Sequence, residues 1–273
     1  MGDMTGLAER AGRQADNSDW LDHAVRMGLV AYGIVNLMVA WLAAQLAFGD
    51  QSGSASSKGA LHQLARQPFG EVLIWLIALG MFLLVLWRGL EAALGHRDEE
   101  GGKRVRKRLV SLGKAIIYGS VAVSALTVAT GSGSKSGGGK STTAKIMDLP
   151  AGTWIVGLIG LAIIGYGISQ IVRAWTEKFR ENLDAEGKSG ESGRAYILFG
   201  KVGYIAKGVA VGVVGGLFVY AAATHNAKKS GGLDQALHKV LQQPFGEFLL
   251  LAIAVGIGCY GLFNFARARH LSR

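Results

Sequence analysis

The chain has 273 residues, half of them hydrophobic and only 18% charged, with 41 glycines, three prolines and a formal net charge of +10. So many glycines and so few charges exclude an ordinary soluble globular domain and point to a membrane. A single cysteine, Cys259, excludes a disulfide framework and a cysteine-based metal centre.

Residues 1–21 form a polar tail without the apolar centre of a cleavable signal peptide, so the first span is expected to stay as an anchor. That span runs from Met27 to Phe48. A Gly/Ser-rich connector leads to LHQLARQ, whose Leu61, Leu64 and Ala65 make a short apolar stripe, then to Gln67-Pro68-Phe69-Gly70-Glu71 and a second span, Val72 to Trp87. The basic cluster Lys103, Arg104, Arg106, Lys107 and Arg108 precedes a third span, Leu109 to Thr130, interrupted near one end by Lys114, whose long side chain can reach the interface.

The next connector, GSGSKSGGGKST, ends as phosphate-binding loops do, in Gly139-Lys140-Ser141. The earlier glycine of that motif is replaced by Ser134, and Pro150 and another apolar run follow where an α/β unit is required, so no nucleotide is expected. The remaining spans run from Ala151 to Val172, Gly208 to Thr224 and Phe248 to Ala266. Most of the six approach the roughly 20 residues that cross about 30 Å of hydrocarbon. They read as helices, because a lipid-exposed backbone must bond to itself and the alternation of a barrel strand is missing. Nineteen Lys and Arg fall on the side of the chain ends against eight on the other, which predicts a plasma-membrane protein with both termini cytoplasmic.

The chain also repeats itself. Gln67-Pro68-Phe69-Gly70-Glu71 returns as Gln243-Pro244-Phe245-Gly246-Glu247, with a degraded copy at Leu149-Pro150-Ala151-Gly152-Thr153. Counted from the proline, Leu84, Tyr166 and Tyr260 are equivalent, as are Arg88, Gln170 and Asn264, and then Glu91, Arg173 and Arg267. Upstream, Arg26-Met27-Gly28 and Gly33 match Lys201-Val202-Gly203 and Gly208, and Lys207 aligns with Tyr32. Each repeat is one hairpin with two spans, so all three enter and leave on one side, related by an axis along the membrane normal. The expected fold is all-α: six transmembrane helices in three tandem hairpins with pseudo-threefold symmetry. A tail (1–21) precedes hairpins at 22–96, 109–179 and 195–270, separated by linkers at 97–108 and 180–194. The proline is expected in the first helical turn and the glutamate beside the positive helix N-terminus.

These features, Arg-x-Gly-x(4)-Gly in the first span, the Gln-Pro-Phe-Gly turn and the aromatic-plus-polar end of the second span, resemble the domain of unknown function 1206. That family occurs mainly in actinobacteria as three tandem copies in six-helix membrane proteins. The resemblance covers the chain from about Asp22 to Arg267; the middle copy departs most. It implies the fold and brings no activity or catalytic residue with it.

Two polar rings follow from the repeat. Arg88, Gln170 and Asn264 sit at one depth, and Glu91, Arg173 and Arg267 lie three residues on, on the same helix face. Such rings suit an ion or an anionic headgroup; basic residues at helix ends also suit the helix dipole and the interface. His62 and His238 fall on the polar side of the short interfacial segments, and the middle repeat has Thr143-Ala144 there, so no metal site is expected. Lys103, Arg104, Arg106, Lys107 and Arg108 are expected to contact anionic lipid, without nucleic acid as a partner. Glycines on the fourth (Gly157, Gly160, Gly165), fifth (Gly208, Gly212, Gly216) and sixth (Gly256, Gly258, Gly261) spans form small-residue faces for close helix packing. No nucleophile, general base or cofactor motif can be named. The sequence thus predicts a non-enzymatic accessory or scaffold module binding lipids or membrane proteins, with a small channel or carrier built on the rings as the alternative.

Overall fold

A computed structural model describes residues 19–49, 53–94, 101–131 and 142–271. Most of the tail, nearly all of GSGSKSGGGKST, and the side chains of Lys103, Arg104, Arg106 and Lys107 lie outside the described residues. The first hairpin comprises α1 (Asp19–Ala47), α2 (Ser57–Ala65) and α3 (Gly70–Leu94). The second comprises α4 (Gly101–Ala129), α5 (Thr142–Met147) and α6 (Gly152–Trp175). The third comprises α7 (Gly190–Ala223), α8 (Leu233–Leu241) and α9 (Gly246–Arg269). Six of these, α1, α3, α4, α6, α7 and α9, are long and apolar enough to cross a membrane, which makes the chain a multi-pass membrane protein. Their outward faces carry Trp41, Trp75, Phe82, Trp154, Leu158 and Val255, an apolar coat suited to lipid.

Three spans begin well before their apolar runs, one of them α1, at Asp19 against Met27. α4 starts within the linker and runs through the basic cluster, and α7 starts at Gly190, well before Gly208. Lys and Arg are good helix formers and no proline interrupts either stretch, so loss of apolarity marks the edge of the lipid and not the end of the helix.

The three proline turns differ from the sequence reading, and the difference explains the motif. Pro68, Pro150 and Pro244 lie before their helices, which begin at Gly70, Gly152 and Gly246. Each proline is the second residue of a tight turn. Gly70 N donates to Gln67 O (2.8 Å), Gly152 N to Leu149 O (2.9 Å) and Gly246 N to Gln243 O (2.8 Å). The third residue takes a left-handed backbone at φ 61° (Phe69), 59° (Ala151) and 58° (Phe245). The glycine is then dictated by a backbone approach: a Cβ on Gly70 would stand 2.1 Å from Leu64 O, on Gly152 1.8 Å from Ile146 O, and on Gly246 2.1 Å from Leu241 O. The middle repeat keeps proline and glycine because it keeps this turn, and it varies Phe to Ala because Phe69 and Phe245 point outward.

Hairpins join through α3 on α4, α6 on α7 and α9 on α1; within hairpins α1 packs on α3 and α7 on α9. The helices therefore follow one another around an axis. α4 and α6, the two spans of the middle hairpin, barely touch, leaving one seam in the ring. The α6–α7 contact is glycine on glycine: a Cβ on Gly160 would come 2.9 Å from Gly215 O, and one on Gly167 2.7 Å from Gly208 O. Gly165 and Gly216 lie off this face, with open space beside them. Spacing by four drifts around a straight helix, whereas spacing by seven stays in register with a neighbour.

The loop between α6 and α7 folds back under the bundle. Phe179 is buried, stacked on Tyr204 (5.5 Å between centroids) and edge-on to Phe263 (5.4 Å). Leu183 pairs with Leu271 as an isolated antiparallel bridge, and Asp184 N donates to His270 O at 3.0 Å. A hydrogen bond from Arg180 holds the Glu177 carboxyl below its ordinary value.

Candidate functional site

All six spans contribute to one small cavity on the axis, in the half of the bundle nearest the start of α1 and the end of α9, the terminal half. Its volume is about 30 Å³, room for roughly two waters. Five basic side chains reach it, each from a different helix: Arg88 (α3), Lys114 (α4), Arg173 (α6), Lys207 (α7) and Arg267 (α9). α1 supplies Tyr32, joined by Tyr118, Tyr166, Tyr204 and Tyr260. Gln170 and, from the loop beneath, Asn182 complete the wall.

The tyrosines interlock edge to face: Tyr32 on Tyr118 at 5.1 Å, Tyr32 on Tyr260 at 6.1 Å, and Tyr204 on Tyr260 at 5.2 Å. Lys207 threads between them. Its Nζ donates to Tyr32 Oη at 2.7 Å and lies 4.0 Å over the Tyr260 ring. The rings thus shield the ammonium without neutralising it. Arg88 is ion-paired to Glu91 and stacks on Trp87, 3.9 Å from the ring centroid. Arg267 is 4% exposed; its hydrogen bond reaches Asn182 Oδ1 at 3.5 Å, and its Nε is buried without a partner. Moving an ion out of water has an effective penalty of several kcal/mol. Cations inside a bundle without a carboxylate partner therefore carry a cost that packing alone does not require.

Of the first predicted ring, Arg88 (6% exposed) and Gln170 (4%) line the cavity. Asn264 is fully buried beside it and spends its amide on Tyr260 O at 2.7 Å, leaving Oδ1 unpaired. Of the second ring, Arg173 and Arg267 line the cavity, while Glu91 stands behind Arg88 as its counter-ion. Arg108 is half-buried, and its Nε has no partner. His62 is exposed at the opposite end; His238 is half-buried, its Nδ1 2.9 Å from Asp234 O. His238 borders a shallow groove of about 380 Å³ with Lys228, Lys229 and Lys239. The Asp234 carboxylate accepts from Ala55 N at 2.7 Å, which ties the third hairpin to the first.

Sequence reasoning missed Lys114 as a site residue, although it stands in the middle repeat where Tyr32 and Lys207 stand in the others, at the offset that separates Pro68 from Pro150. Tyr118 and Tyr204 belong to no equivalent set, and no spacing rule selects them. Outside the membrane, Asp184, Glu186 and His270 bring three ligand-type atoms within 4.8 Å of one another. Asp184 Oδ1 already accepts from Gly187 N at 2.7 Å and faces His270 Nδ1 at 3.3 Å, so these groups serve as a latch between the loop and the chain end.

Comparison with known proteins agrees with the three hairpins. The family model Domain of Unknown Function (DUF1206) matches at residues 27–95, 109–177 and 202–270. A relative from Bacillus subtilis (strain 168), the uncharacterized protein YxxB, is 28% identical over 251 residues, covering 91% of this chain and 90% of its own. No solved structure matches the chain. With three matches across most of its length, the chain belongs to the DUF1206 family.

Proposed function

We propose that this DUF1206 protein is a non-enzymatic channel or carrier of the plasma membrane, with the axial chamber as the point through which a small polar solute or ion passes. The observation that carries the reading is the convergence of five basic side chains, from five different spans, on one cavity. A bundle that needed only to hold together would fill its axis with apolar side chains, since exchanging buried charge for well-packed apolar groups is often stabilising. The accessory-module reading rested on glycine faces, and the main one, between α6 and α7, is occupied within the chain.

The terminal half is the cytoplasmic side in this proposal, following the charge distribution of the loops, and the basic start of α4 then meets anionic headgroups. The α6–α7 loop, with Phe179 and Asn182 beneath the chamber, occupies the cytoplasmic mouth and must move for a solute to pass.

Flux in proteoliposomes tests the reading. Wild-type protein is expected to release trapped solute, and the combined Arg88→Leu, Gln170→Leu and Asn264→Leu variant to lose that release while staying monodisperse. Vesicles that retain halide, alkali-metal and amino-acid probes with either protein would contradict it.

A further inference from the structure

We propose that the chamber is a binding site for a small inorganic anion, of halide size in the arrangement seen here. The proposal deepens the passage reading and rests on it for movement of the ion, though not for its binding.

Hydrogen-bond inventory carries the argument. Lys and Arg are donors only, and a tyrosine hydroxyl has one proton to give. Lys207 already donates to Tyr32 Oη, so the proton of that hydroxyl is left to point elsewhere. No carboxylate lines the chamber among the described residues. Glu91 is taken by Arg88, and no carboxylate stands within ion-pair distance of Lys114, Arg173, Lys207 or Arg267 among the described residues. The site therefore sets charged donors against neutral acceptors alone, the amide oxygens of Gln170 and Asn182 and the tyrosine hydroxyls, with no carboxylate to balance the charge.

Each alternative class of occupant fails on one of these counts. A cation meets the positive charges of Arg173, Lys207 and Arg267 in a medium that screens them poorly. A neutral solute leaves the charge uncompensated. An anion supplies both the acceptor and the missing charge, and Arg267, nine-tenths buried with an unpartnered Nε, is a donor awaiting such an acceptor. Volume sets the size: about 30 Å³ admits a monatomic ion or a water pair, whereas a larger oxyanion needs the walls to part. A lipid headgroup, a phosphate ester much larger than a halide, is disfavoured by the same volume.

The test uses full-length protein in a neutral detergent with gluconate as the background anion. Chloride is titrated and followed by ³⁵Cl NMR line width and by the thermal midpoint, with bromide and sulfate as competitors. Saturable broadening that bromide displaces, with a rising midpoint, is expected. Arg267→Met should raise the Kd at least tenfold, while Arg269→Met, an exposed neighbour on the same helix, should leave it unchanged. If Arg267→Met does not fold, Lys207→Met takes its place. Absence of saturable binding by all three anions, binding indifferent to both chamber variants, or a midpoint that answers only to added anionic lipid would each overturn the proposal. Solute flux without anion binding would leave passage standing and remove the anion; binding without flux would do the reverse.

Discussion

The two halves of the bundle fill the same axis in opposite ways. In the half nearest the connectors, Leu42, Leu46, Ile74, Ile77, Leu250 and Ile253 are buried against one another and the helices close on glycine and alanine. In the terminal half the same six helices bring arginine, lysine and tyrosine inward around a cavity. The first arrangement is what a stable bundle needs. The second works against stability, and in the function proposed above it is the half where the protein acts.

Substitutions can break or sharpen this contrast. The largest loss is expected in the packed half, from Gly160→Leu. Its side chain has nowhere to go, with Val219 N at 2.8 Å and Gly215 O at 2.9 Å from the added Cβ. A stability loss of about 3 kcal/mol or more is expected by thermal unfolding in detergent, against little change for Gly216→Leu, which faces open space. Next comes Tyr32→Phe. It takes away the acceptor of Lys207 and is expected to lose about 2 kcal/mol, with any transport activity reduced. Smaller, and opposite in sign, is Arg267→Met: exchanging a buried unpaired charge for an apolar chain should raise stability by about 1 kcal/mol while abolishing flux. Smallest is His62→Ala, an exposed position on α2, expected to stay within about 0.5 kcal/mol of wild type with flux unchanged.

The fold was readable in the sequence because lipid imposes strong rules: apolar runs give spans, and a repeated proline-glycine turn gives the hairpins. What it could not supply was the direction of the proline turn, where a left-handed Phe69 or Ala151 fits no residue preference and only the approach of Leu64 O or Ile146 O explains the glycine. Equivalence between repeats found Arg88, Gln170, Arg173 and Arg267, four members of the chamber wall. It left Lys114 beyond reach as long as that residue was read as a snorkelling end group. It could not find Asn182, which arrives from a loop folded under the bundle, because loop trajectory is set by packing of Phe179 and Leu183 and carries no periodicity.

Cysteine accessibility tests the central claim most directly, that the terminal half holds a hydrated axis. In a Cys259→Ala background, Gln170→Cys should react with a small hydrophilic thiol reagent that enters as the α6–α7 loop moves and the walls part, faster with an anionic one than with a cationic one of similar size, and Ile168→Cys, on the outward face of the same helix, should not. Equal and negligible labelling at both positions, or preference for the cationic reagent at Gln170→Cys, would contradict the account.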